Sequence, residues 1–163
     1  ICDSFLMEKA CRYDIKGKRY IESPYKYYFT DCGLRNARLN FRQVEYTHLL
    51  ENVIYNELIA RGFSVDVGVV SKTCQENNKE AVRRNFEVDF VCNQGSKRYY
   101  IQSAYRMIDE DKVKQEETSL RNIDDSFKKI IVLGEYTPVL HNESGITIIS
   151  IYDFLLKENS LEL

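Results

Sequence analysis

The sequence predicts a mixed α/β (α+β) domain, built as a mixed sheet with helices on both faces. Three observations lead there. A strong amphipathic helix signal runs from Phe41 to Arg61. Three β-like segments follow in close succession, at 63–71, 86–92 and 98–105. A second helical stretch, two more apolar strands and a closing helix complete the order α-β-β-β-α-β-β-α, which makes a meander, a crossover and a returning strand.

Taken in order, "ICDSFLMEKA" (1–10) carries an apolar pair at Phe5 and Leu6 and reads as the end of a helix. "CRYDIKGKRYIESPYKYYFTD" (11–31) reads as two short strands, with Gly17 in a basic turn and Pro24 interrupting the second. "CGLRNARLN" is a loop or a short helix. In the long helix Leu50, Val53, Ile54 and Leu58 share one face, and Gly62 stops it. Glu57 falls inside that apolar stripe, and a buried glutamate there calls for a structural partner. "FSVDVGVVS" (63–71) is a strand, and 72–85 is a polar turn region. Residues 86–92 and 98–105 pair across the polar turn "NQGSK". Residues 109–123 form the second helix, with Asp109 as its cap. "KKIIVLGEY" (128–136) is an apolar strand, and "GITIISIYDFLLKEN" supplies a last strand and the closing helix.

A chain of 163 residues suits one globular domain with a core large enough to fold independently. With 44% apolar and 29% charged residues it is neither a disordered chain nor a membrane protein, and no apolar run approaches the roughly 20 residues of a spanning helix. No signal peptide is visible. The chain opens at Ile1 without an initiating methionine and reads as a fragment of something longer. Five scattered cysteines lack zinc-finger spacing and predict reduced thiols in a cytoplasmic protein.

Formal net charge is −2, but it is unevenly spread. Residues 12–42 hold eight basic side chains (Arg12, Lys16, Lys18, Arg19, Lys26, Arg35, Arg38, Arg42) against three acids (Asp14, Glu22, Asp31). The hairpin residues Lys16, Lys18 and Arg19 are therefore candidates for contact with nucleic-acid phosphate. The alternative is a solvated face, or one that docks an acidic neighbour. Tyr25, Tyr27 and Tyr28, and Tyr99, Tyr100 and Tyr105, could stack bases but in strands more often pack. No Gly-rich phosphate loop is present, so no ATP site lies in this piece. The two histidines, His48 and His141, are too far apart in sequence for a His-rich metal centre, and His48 reads as a surface residue.

One constellation could carry chemistry. Phosphodiester hydrolysis uses a metal to activate water, and hard divalent metals take carboxylate oxygens. An acid near the end of one strand, and an acid-x-Lys on the next, can converge on one ion because side chains two apart share a face. Asp89 in "FEVDFVC" is the first such acid. Alternation alone would also place it, with Glu87, on a solvent face opposite Phe86, Val88 and Phe90. On the next strand the corresponding places read Gln102 and Ala104.

"LLENVIYNELIARGF", then "EVDF", then "YYIQSAY", resembles the PD-(D/E)xK nuclease superfamily. The chain is more similar still to the C-terminal domain of unknown function that follows an AAA-type ATPase module in many prokaryotic proteins, with a winged-helix segment between the two. "RYDIKGKRY" and "KYYFTDCGLRNARL" look like the end of that segment and its exit, and "GITIISIYDFLL" fits the same family. The resemblance implies a restriction endonuclease-like mixed sheet over 31–163, preceded at 1–30 by a winged-helix remnant, with ATP bound by the absent N-terminal module. It sets Glu51 at the family's helix acid, Asp89 at its first strand acid, Gln102 at its second and Ala104 at its lysine. Glutamine is a poor neutral ligand and alanine removes the cation, losses worth about a hundredfold or more each. The site therefore looks degenerate and the fragment non-enzymatic, without a cofactor of its own. Its expected role is an accessory domain that binds its own ATPase module, a protein partner or DNA, away from membranes. Two alternatives remain: a metal-dependent DNA nuclease rerouted through Glu51, Glu87, Asp89 and Arg106 with Mg²⁺ or Mn²⁺, and a DNA-binding module that does not cleave.

Overall fold

The protein is described by a computed structural model covering residues 5–42, 45–74, 82–106 and 117–163. Its strands are β1 (Met7–Asp14), β2 (Arg19–Phe29), β3 (Ser64–Cys74), β4 (Val82–Gln94), β5 (Lys97–Ala104), β6 (Lys128–Leu133), β7 (Leu140–His141) and β8 (Ile146–Ser150). They form one sheet in the order β2-β1-β3-β4-β5-β6-β8-β7. Pairing is antiparallel for β1/β2, β3/β4, β4/β5 and β7/β8, and parallel for β1/β3, β5/β6 and β6/β8. The helices are α1 (Cys32–Arg38), α2 (Tyr46–Ala60), α3, helical over residues 117–121, and α4 (Ile151–Leu156). The predicted mixed sheet flanked by helices is therefore present.

Each face of the sheet has its own core. Leu50, Ile54, Tyr55 and Leu58 of α2 pack on Val67, Phe90, Ile101 and Val132. Leu120 and Ile123, at the end of α3, pack on Val70, Val88, Val91, Tyr100 and Ile131. This explains the apolar run in β4, whose residues 88–92 are all buried. Helix α2 ends as Gly62 predicts. At φ 83° its N–H reaches the carbonyl of Ile59, while the Phe63 N–H reaches that of Leu58, the paired bonds of a glycine-terminated helix.

Several expectations are corrected. The segment read as a helix end becomes β1 from Met7 onward, because its backbone pairs with β2, Met7 opposite Phe29. The β1–β2 hairpin joins the same sheet as the strands that follow it. β1 runs parallel to β3, with Tyr13 opposite Gly68, and Tyr28 of β2 lies in the α2-side core. The polar region 72–85 is partly ladder, pairing Lys72 with Arg84 and Cys74 with Val82; Lys72, Thr73 and residues 82–85 are exposed, so no alternation marked them. Helix α2 begins at Tyr46 rather than near Phe41. Strand β6 stops at Leu133, where Gly134 passes so close to the Tyr105 carbonyl that a Cβ would stand 2.9 Å from it. The cap expected at Asp109 lies outside the described residues. β7, two residues long, is too short for any pattern to show.

Candidate functional site

The site is set by an irregularity in β4. Asp66 of β3 pairs with Val91 of β4, but Gly68 pairs with Val88, so Asp89 and Phe90 together oppose Val67. This extra residue is a β-bulge, a device that re-aims a side chain. Val88 and Val91 both face α3 while Phe90 faces α2, and Asp89 is turned inward with it. The expectation that Phe86, Val88 and Phe90 share one face, with Asp89 on a solvent face, fails for this reason. Asp89 is 8% exposed.

The bulge also interrupts the β4–β5 ladder, which is registered only up to Phe90 and Ile101. Side chains close the gap. Oδ2 of Asp89 accepts from the Ser103 N–H at 2.8 Å and from its hydroxyl at 2.6 Å, and the Asp89 N–H donates to Oε1 of Gln102 at 3.1 Å. Gln102 thus fastens the bulge. Its neighbours in register are Ile131 and, two residues either way, Tyr100 and Ala104, all on the α3 side. The residue that β5 presents to Asp89 is Ser103. Glu51 and Asp89 are therefore brought together, while Ala104 packs on the opposite face. Parallel pairing with β6 fixes this parity, Ser103 lying opposite Val132 of the α2-side core.

Glu51, 9% exposed, reaches the same place from α2. Its Oε1 accepts from the Tyr28 hydroxyl at 2.6 Å and stands 2.6 Å from the Lys26 ammonium. Lys26 also holds Oε1 of Glu87 at 3.0 Å, and Arg12 holds Oε2 of Glu87 at 2.6 Å. Both cations come from the β1–β2 hairpin. Sequence reasoning missed Lys26, Tyr28, Arg12 and Ser103. The available signal was parity, since Lys26 and Tyr28 stand two apart in "PYKYYF" and so share a strand face.

The electrostatics follow from burial. Desolvation, then the Glu51 charge, lift Asp89 to about 7 against the donors of Ser103 and the charge of Lys26. Burial disfavours the Lys26 ammonium, yet Glu51, Asp89 and Glu87 outweigh it and raise its pKa. For Glu87, burial is outweighed by Lys26 and Arg12, and its carboxyl is lowered. Burial and Glu51 push the Tyr28 hydroxyl far up, so it donates rather than ionises.

The three acids offer the hard oxygen donors that Mg²⁺ or Mn²⁺ prefers. As packed, they do not fit such an ion. Glu51 and Glu87 each give an oxygen to the Lys26 ammonium, and an Asp89 oxygen is taken by Ser103. Among the described residues, no three carboxylate, imidazole or thiolate groups are spaced to share one ion.

The remaining candidates lie elsewhere. β5 ends at Ala104, and Arg106, exposed, sits over the Tyr105 ring rather than in the site. Lys16 pairs with Asp124 at 2.8 Å and Arg19 approaches Asp14 at 3.7 Å, while Lys18 sits exposed in the turn. Glu57 is half-buried and finds its partner in Arg61 at 2.8 Å. Exposed His48 pairs with Glu45. A separate cleft of about 600 Å³, lined by Arg61, Lys97, Tyr99, Leu156 and Glu162, lies at the far end of α2.

The chain is similar to a curated protein of Haemophilus influenzae described as uncharacterized, with 32% identity over 155 residues. That match covers 95% of this chain and 34% of the relative, so the chain spans about a third of the relative's length. No family model and no solved structure matches the chain. No helix among the described residues is long and apolar enough to cross a membrane.

Proposed function

We propose that this domain is a non-catalytic interaction module of a longer prokaryotic protein, a nuclease-like scaffold retained for binding. One observation carries the reading: the ammonium of Lys26 lies among the acids, 2.6 Å from Glu51 and 3.0 Å from Glu87, so the oxygens that hydrolysis would use are already held. The order of α2, three antiparallel strands, α3 and a parallel strand supports a restriction endonuclease-like core. The greater length of the Haemophilus influenzae relative leaves room for a further module, and an AAA-type ATPase is the one the family resemblance implies. Cys11, Cys32 and Cys92 are free thiols, which supports a cytoplasmic setting. Its partner is the ATPase module itself, another protein or nucleic acid.

A rerouted nuclease is the second reading. The same Lys26 favours it, because a lysine again stands beside acids of the site, Glu51 and Glu87. Cleavage of duplex and single-stranded DNA with Mg²⁺ or Mn²⁺, assayed for the protein and for Asp89→Asn, separates the two. No cleavage by either protein is expected. Metal-dependent cleavage that disappears in Asp89→Asn would replace the first reading with the second.

A further inference from the structure

The geometry points to Lys26 as a built-in cation: its ammonium bridges Glu51 and Glu87, in the place a divalent ion drawn to those two carboxylates would take, and it thereby fastens the β1–β2 hairpin to the core. The inference rests on the non-catalytic reading and explains how three acids persist in a site that does no hydrolysis.

Carboxylates taken out of water and set close together repel one another and lose hydration, and a cation must offset both. An octahedral ion would draw oxygens to about 2.0–2.1 Å. An ammonium instead offers N–H donors that reach oxygens at ordinary hydrogen-bond length, and Lys26 does so at 2.6 Å and 3.0 Å. The acids come from two elements of the core assembly, Glu51 from α2 and Glu87 and Asp89 from β4, on either side of the start of the bulge. The cations Lys26 and Arg12 come from the hairpin. The arrangement is therefore also a cross-link. It adds charge pairing to a joint whose backbone register between β1 and β3 extends only from Arg12 to Asp14. A dication placed against Glu51 would stand beside the ammonium and be repelled by it. Removing the ammonium leaves the anionic charge without its nearest counter-ion, and so creates a cation site.

The test is Mn²⁺ titration by calorimetry on the whole chain, its Lys26→Met and Lys26→Ala variants, and Lys26→Met combined with Glu51→Gln. The expected result is one Mn²⁺ per chain in the single variants, bound about tenfold or more tighter than by the unaltered protein, with the gain lost in the double variant. Equal Mn²⁺ affinity with and without Lys26 would overturn the inference. A measurement on the unaltered protein guards against variants that fail to fold. Reductive methylation should modify exposed Lys18 well before Lys26, whose side chain is 28% exposed and held by two carboxylates. Equal modification rates would also overturn it. DNA cleavage by the unaltered protein would instead remove the reading on which it rests, an outcome separate from either of these.

Discussion

A buried carboxyl that titrates near neutrality ties folding to pH. Asp89 sits at about 7 in the folded chain against 3.8 for the free group, so between those values the folded state holds a proton that the unfolded state has released. Stability from this group is full below 3.8, falls as pH rises, and is gone above about 7. Glu87, whose folded pKa is lowered, works the other way at the acid end, its contribution fading as pH falls. Asp89→Asn keeps the shape and removes the ionisation. Urea denaturation across this range should show a shallower fall of stability with pH in Asp89→Asn than in the parent, and an unchanged slope would refute the assignment. The other site residues were unequally legible. Asp89 stood out because an acid in an apolar strand is unusual, and Glu51 only through the family resemblance. Ser103 did not, because nothing in its own neighbourhood marks it as more than an ordinary strand residue.

At the scale of elements, the bulge in β4 depends on Gly68 across from it. A Cβ there would meet Ile15 Cδ1, Val88 Cβ and Val91 Cγ2, each at 2.9 Å. The two valines crowd that spot because the bulge turns both toward α3. Gly68→Ala should therefore destabilise by about 1–3 kcal/mol through overpacking, measured as a lower denaturation midpoint. A smaller effect than that of Ala at exposed Gly95, whose φ of 59° also favours glycine, would contradict this account. The strand pattern located β4 and β5 correctly, and the turn "NQGSK" correctly joined them. It could not show the bulge, because a one-residue insertion reverses facing without changing composition. Gln102, a site position by the family resemblance, bonds the Asp89 N–H at the bulge, while Ala104 packs on the α3 side.

For the whole molecule, the hairpin joins the rest of the sheet through only three registered pairs, Arg12 to Asp14 with β3, and side chains add to that attachment. Asn52 of α2 accepts from the Phe29 N–H at 2.9 Å and donates to the Phe29 carbonyl at 2.7 Å, covering the free edge of β2 at its end. Asn56 adds a bond to the same carbonyl at 3.0 Å. Asn52→Ala should speed amide hydrogen exchange in β1 and β2 while leaving β5 and β6 protected. Equal acceleration in both regions would mean that the hairpin and core open as one unit.

Local chemistry in the sequence determined the body of α2, its stop at Gly62, the central strand segments and the acid Asp89, since period, capping and misplaced charge are written in neighbouring residues. The tertiary structure decided that the hairpin belongs to the same sheet, that a bulge turns Asp89 inward, and that Lys26 stands between Glu51 and Glu87. These depend on register and on strands brought together from 61 positions apart in the chain, and the pairing of distant strands leaves no mark in the pattern of either one.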